Sequence, residues 1–191
     1  CWENWLYTSK RLCLEPSLSL YIAIKIKDIN GSFVDVKSLT KVAEENIGKA
    51  KDFEVGYGDL LIAMTGATVG KIGIVPKCDK KLFVNQRVGK FFLGELPLEK
   101  VAFLFFSLND ARVSNIIVSK AEGSAQPNIS ATEIENIKIV YPDENIIEKF
   151  NKICIPMIER YLNNIYDNNN LEEMRNLLIE ELIEQRFVLS S

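Results

Sequence analysis

The chain has 191 residues, 47% of them hydrophobic and 26% charged, with a mean hydropathy of +0.02; this suffices for one core, or one core plus a projecting element, and the longest apolar runs, 60–64 and 101–106, fall far short of the ~20 residues that cross a bilayer. The net charge of −3 hides a basic front, +4 over residues 1–90, and an acidic back, −7 over 91–191, which suits a polyanion at one surface and protein partners at another. There is no histidine, and the cysteines at 1, 13, 78 and 154 form no Cys-x-x-Cys unit, which argues against a Cys/His zinc site and fits free thiols in a reducing cytoplasm.

Residues 1–142 read as one mixed domain. The start, Cys1-Trp2-Glu3-Asn4-Trp5, lacks the basic-then-apolar order of a signal peptide. A first residue other than methionine is expected of a fragment, or of a chain without its natural beginning. Tyr21-Ile22-Ala23-Ile24-Lys25-Ile26-Lys27 alternates with lysine and predicts a half-buried strand. Asp28-Ile29-Asn30-Gly31 predicts a turn built on Asn-Gly. The polar stretch 38–46 suggests a short helix. The apolar run 60–64 predicts a strand buried on both faces. Residues 71–75 are its hairpin partner, ended by Pro76, and 82–93 form a third strong strand. Pro97 opens a helix, where its missing N–H costs nothing; that helix buries Val101, Phe105 and Leu108, with Leu104 beside them. A second helix covers 111–120. Ser130-Ala131-Thr132-Glu133 has the form of a capping box and predicts a one-turn helix. Ile137-Lys138-Ile139-Val140 returns as a strand, and Pro142 closes the domain.

From residue 143 to 191 the pattern becomes helical. Residues 144–154 are amphipathic, with Ile147, Phe150, Ile153 and Cys154 on one face. Pro156 is expected to interrupt or kink the helix. Ile158, Leu162 and Ile165 follow at helical spacing; Asn168-Asn169-Asn170 breaks the stripe; Leu171, Met174, Leu178 and Leu182 resume it. Such a seam is too narrow and too long to bury itself, and calls for a partner helix. A terminal helix folded back on its own domain is the alternative.

The chemistry available points to binding. Gly66, Gly70 and Lys71 suggest a phosphate loop, but three residues separate the glycines where a Walker A loop needs four, and Ile72 follows the lysine. The glycines instead suit positive φ or close backbone approach in a hairpin turn. Without histidine the usual proton shuttle is absent. Asp59, at the head of the buried strand, reads as a carboxylate that caps the turn launching it. Nucleic-acid binding is better supplied. Lys10, Arg11, Lys25, Lys27, Lys71 and Lys90 recur at turns and strand edges, where cations contact phosphates. Asn85-Gln86-Arg87 and the pair Gln126 and Asn128 supply the amide and forked side chains that read bases; satisfying loop backbone is the competing role for each.

The order of these elements resembles a known family. Gly58-Asp59-Leu60-Leu61-Ile62, then Thr65-Gly66-Ala67-Thr68-Val69-Gly70-Lys71, then Asn85-Gln86, then Gly123-x-x-Gln126-x-Asn128-Ile129-Ser130, then Ile137-x-Ile139-x-x-Pro142, is similar to the target recognition domain of type I restriction–modification specificity subunits. Phe150-x-x-Ile153-x-x-Pro156, with Asn170-Leu171-x-x-Met174-Arg175-x-x-Leu178 and Leu182, resembles the helical spacer that follows each such domain. The resemblance implies a subunit that reads double-stranded DNA and does no chemistry itself. Methyltransferase subunits would bind S-adenosylmethionine, and restriction subunits would use ATP. A full subunit carries two recognition domains and two spacers; this chain holds one of each, so it is expected to be either a half subunit that forms a homodimer or a piece of a longer chain.

The expectation is therefore an α+β protein: a mixed, β-rich DNA-recognition domain over 1–142, then a long coiled-coil-like helical spacer over 143–191. It would be cytoplasmic, non-catalytic, without metal or cofactor of its own, and without membrane contact. Three rivals stand beside it: a helical assembly scaffold whose globular domain binds protein, a specificity module of another restriction system, and a nuclease using Asp59 with other carboxylates.

Overall fold

The computed structural model describes residues 6–8, 21–37, 39–42, 53–122 and 126–188. Along them run the strands Leu6–Thr8 (β1), Tyr21–Ile24 (β2), Thr40–Val42 (β3), Glu54–Val55 (β4), Leu60–Ala63 (β5), Ile72–Ile74 (β6), Lys81–Val84 (β7) and Val88–Phe91 (β8). The helices are Val101–Asn109 (α1), Ala111–Ala121 (α2), Ala131–Glu135 (α3) and Glu144–Val188 (α4).

A strand with no polar face needs cover on both sides, and β5 receives it. Leu61 and Ala63 turn toward Ile22, Ile24, Val55, Leu82 and Val84, which belong to the other sheet. Leu60 and Ile62 turn the opposite way, toward Val101, Leu104, Leu108, Ile117 and Ile134 of the helices. The result is three layers: sheet, sheet, helices. One sheet has the order β1-β8-β5-β6, all antiparallel. The other has the order β3-β2-β7-β4, in which only β2 and β7 run parallel. Leu60 pairs with Ile74 and Ile62 with Ile72, the hairpin expected of 60–64 and 71–75.

Several expectations need correction. The stretch 21–27 is not one half-buried strand. Ile22, Ala23 and Ile24 are all buried, because β2 lies inside its sheet between β3 and β7. The strand then gives way to a tight 3₁₀ turn, since the Asp28 carboxylate accepts from the Lys25 N–H (2.8 Å) and the Asp28 N–H donates to the Lys25 carbonyl (2.9 Å). Within 38–46, Thr40–Val42 is a strand at the edge beside β2, while residues 38 and 43–46, where the short helix was also expected, lie outside the described residues. The third strand divides into β7 and β8, which belong to different sheets. Residues 137–140 form no ladder; Ile137 is buried and Val140 is 82% exposed. Ile137 and Ile139 face the core without joining a sheet. The Asn30 turn and the capping box stand as expected. Asn30 Oδ1 accepts from the N–H groups of Ser32 and Phe33, and Ser130 and Glu133 exchange both cap bonds.

α4 runs unbroken through Pro156, which costs it the hydrogen bond to the carbonyl four residues earlier. Its seam divides in two. Ile158 and Leu162 are buried in the domain's own core, and Ile165 packs against it. The first half of the seam is therefore satisfied within the chain. Docking is fixed by polar contacts too. The Asn151 Oδ1 accepts from the Phe103 N–H at 2.9 Å. It thereby caps the first turn of α1, whose own N-cap residue, Lys100, supplies no side-chain bond. Further along, the Lys37 ammonium meets the Glu172 carboxylate at 2.6 Å. From Leu171 onward the stripe is open: Leu171, Met174, Leu178 and Leu182 are each more than half exposed. No single helix among the described residues is long and apolar enough to cross a membrane.

Candidate nucleic-acid interface

Gly66 and Gly70 set the local geometry, with φ of 78° and 83°. That left-handed region suits glycine. At Gly70 the approach is close as well: a β-carbon there would stand 3.1 Å from the Ile117 side chain of α2. Between them, 66–68 makes one 3₁₀ turn that returns the chain into β6.

Four segments are stitched together at this end of the sheets by backbone hydrogen bonds. The Asn85 N–H donates to the Ile24 carbonyl (3.0 Å), which ties the 85–88 turn to β2 and the 3₁₀ turn behind it. The Met64 N–H donates to the Arg87 carbonyl (2.9 Å), which ties that turn to the end of β5. The Gly66 N–H donates to the Pro127 carbonyl (2.8 Å), the Ile129 N–H to the Met64 carbonyl (2.9 Å), and Thr65 bridges to Asn128. The two polar turns that stand sixty residues apart in the sequence thus touch in the fold.

This brings together Lys25, Lys27, Lys71, Asn85, Gln86, Arg87, Gln126 and Asn128. Lys27, Lys71, Arg87, Gln126 and Asn128 are exposed; Lys25, Asn85 and Gln86 are half-buried. No ion pair forms to Lys25, Lys27, Lys71 or Arg87 among the described residues. The nearest acid on the same turn, Asp28, is only 3% exposed. Burial, with the Asp35 charge beside it, pushes its carboxyl pKa up, against the Lys25 N–H and the Lys27 and Lys25 charges, which pull it down. Around these turns four cations stand beside three acids: the buried Asp28, the half-buried Asp35 and, where α2 leads into the 126–128 loop, the exposed Glu122.

Two expected site residues have partners within the fold, and two lie outside the described residues. Lys90 lies toward the far end of β8, with its ammonium 2.7 Å from the Asp59 carboxylate, itself 6% exposed. Asp59 also accepts from the Gly56 N–H at 2.8 Å, so it is the turn-capping carboxylate its position suggested, and Lys90 is its counter-ion. The sequence signal for this pair was the buried aspartate at a strand head, which requires a cation nearby. Asn85 spends its Oδ1 on the Arg87 N–H (3.2 Å) and braces the turn. Lys10 and Arg11 lie outside the described residues.

Residues 19–180 match the family described as type I restriction modification DNA specificity domain. The chain belongs to that family. Among curated proteins, it is 26% identical over 116 residues to the type I restriction enzyme HindI specificity subunit of Haemophilus influenzae, covering 60% of this chain and 25% of that protein. It is 26% identical over 122 residues to the MjaVIII specificity subunit of Methanocaldococcus jannaschii, covering 62% and 28%. The chain spans about a quarter of the length of these relatives. Its fold is like that of a type I restriction–modification system S subunit from M. genitalium, with a TM-score of 0.52 at 16% identity, over 93% of this chain and 42% of that one. The α+β specificity-domain architecture, a β-rich body followed by a long helix, is therefore the architecture of this chain as well.

Proposed function

We propose that this chain is the DNA-reading part of a type I restriction–modification specificity subunit, which grips one half of a split target with the loop end of its two sheets. The observation that carries the reading is the convergence of Lys25, Lys27, Lys71 and Arg87 on one end face, in a domain of the DNA-specificity family. Exposed cations on neighbouring turns supply salt-dependent affinity for phosphates, and the amides of Gln86, Gln126 and Asn128 stand among them for base edges. Lys10 and Arg11 are proposed as further phosphate contacts. The chain acts in the cytoplasm and leaves bond-making to partners: methyltransferase subunits holding S-adenosylmethionine, and restriction subunits using ATP.

The far half of α4 is proposed to pair with a second spacer, in a homodimer if the chain is a half subunit. Its exposed stripe supports this. Ile153 and Leu182, Met157 and Leu178, and Tyr161 and Met174 are all centred between residues 167 and 168. An antiparallel copy about a twofold axis there lays apolar on apolar.

The test is selection from random duplexes at low salt, followed by sequencing. A short enriched motif, with affinity that falls steeply as salt rises, is the expected result. Binding that enriches nothing would favour the protein-binding scaffold. Turnover of DNA by the chain with magnesium alone would overturn the non-catalytic reading.

A further inference from the structure

We propose that Arg87 reads a guanine in the major groove, while the lysines around it contact phosphates. The inference rests on the DNA-binding reading above and adds to it which side chain chooses a base.

Arg87 stands at the third position of the turn that carries the chain from β7 in one sheet to β8 in the other. Both of its backbone polar groups are held: its N–H donates to Asn85 Oδ1 at 3.2 Å, and its carbonyl accepts from the Met64 N–H at 2.9 Å. The turn is closed by the Val88 N–H on the Asn85 carbonyl (2.8 Å) and anchored to β2 by the Asn85 N–H on the Ile24 carbonyl (3.0 Å). The backbone is thus fixed from both sheets while the side chain is exposed. A rigid base under a free side chain is what selective recognition needs, because little ordering entropy is lost on contact.

Chemistry separates Arg87 from its neighbours. Lys25, Lys27 and Lys71 are compact point charges, whereas a guanidinium presents a planar fork that matches the O6 and N7 acceptors of guanine. The other arginines whose side chains are described are elsewhere. Arg112 pairs with Asp110 at 3.1 Å, and Arg160 and Arg175 lie on α4. No carboxylate forms an ion pair with Arg87 among the described residues. Asn85, one neighbouring amide, has its oxygen engaged in the turn, and Gln86, the other, is half-buried and suits adenine, so Arg87 is the exposed side chain at the apex whose fork matches guanine.

Random-duplex selection with wild type, Arg87→Lys, Arg87→Ala and Lys27→Ala tests this. Equal thermal melting of the four confirms an intact fold, since Arg87 contributes only backbone bonds to it. Wild type is expected to enrich a motif containing a fixed G·C pair. Both Arg87 variants lose the preference at that position alone, with affinity for the best site down roughly tenfold to a hundredfold. Lys27→Ala keeps the motif and weakens all duplexes alike. If the wild-type motif survives unchanged in Arg87→Ala, the assignment of Arg87 is overturned and the DNA-binding reading stands. Equal weakening on every duplex with a shallower salt slope would make Arg87 a phosphate contact and overturn the assignment too. A wild-type protein that enriches nothing overturns both.

Discussion

Lys90 and Asp59 mark where a charged residue serves the fold rather than a ligand. The carboxylate is nearly buried, holds a turn through the Gly56 N–H, and is matched by one ammonium at 2.7 Å. Lys90→Ala is expected to destabilise the domain by about 2 kcal/mol, below the cost of breaking a fully buried pair because the lysine is part-exposed. Urea unfolding measures this, and DNA affinity of the folded variant should equal wild type. Lower affinity at unchanged stability would return Lys90 to the interface. Asp28 makes the converse case. Its carboxyl pKa is raised above 3.8 by burial, so the folded state binds the proton more tightly than the unfolded one. Stability is therefore highest below the unfolded pKa and falls as pH rises through the folded value. Asp28→Asn keeps an acceptor for the Lys25 N–H and removes this limb. Unfolding free energy measured across pH 3–7 should be flatter in the variant; an equally steep profile would assign the dependence to other groups.

At the scale of elements, the telling case is α1, which begins without a side-chain cap of its own. The cap comes from Asn151, forty-eight positions later in sequence, on α4. Asn151→Ala removes both the cap and a docking bond, and should lower stability by about 1–2 kcal/mol. Asn151→Asp keeps the acceptor and should recover most of it. Adding Asn151→Leu to the thermal melts distinguishes capping from simple packing, since leucine keeps the volume and loses the acceptor. Local signals were legible here where they needed no distant partner. The Ser130 capping box, the Asn30 turn and the doubly buried β5 were readable because each is closed by neighbours within four residues, or by composition alone. The 82–93 stretch was misread as one strand because nothing in it states that Asn85 would bond back to β2 and turn the chain into another sheet.

For the whole molecule the question is what covers the far half of α4. Its first half is anchored by Ile158, Leu162 and Asn151, and the helix then extends past Glu172 with an apolar stripe in solvent. The sixteen residues past Glu172, at about 1.5 Å each, extend the helix about 24 Å beyond its ion pair with Lys37. Leu171→Glu with Leu178→Glu should leave thermal stability of the globular body unchanged and shift sedimentation from dimer to monomer. Wild type that sediments as a monomer at all concentrations would remove the pairing proposal and leave the spacer to another partner.

The sequence by itself determined the apolar run of β5, the glycines that turn it, the caps, and the long helical tail, because each follows from short-range periodicity or from the conformational freedom of one residue. It also carried the order of motifs by which the family could be recognised. Only the tertiary structure decided which of the scattered cations share a face, that Lys90 belongs to Asp59, and where along α4 docking ends and exposure begins. Those outcomes depend on hydrogen bonds and packing between segments tens of residues apart, and no local pattern encodes which distant partner a strand edge or an apolar stripe will meet.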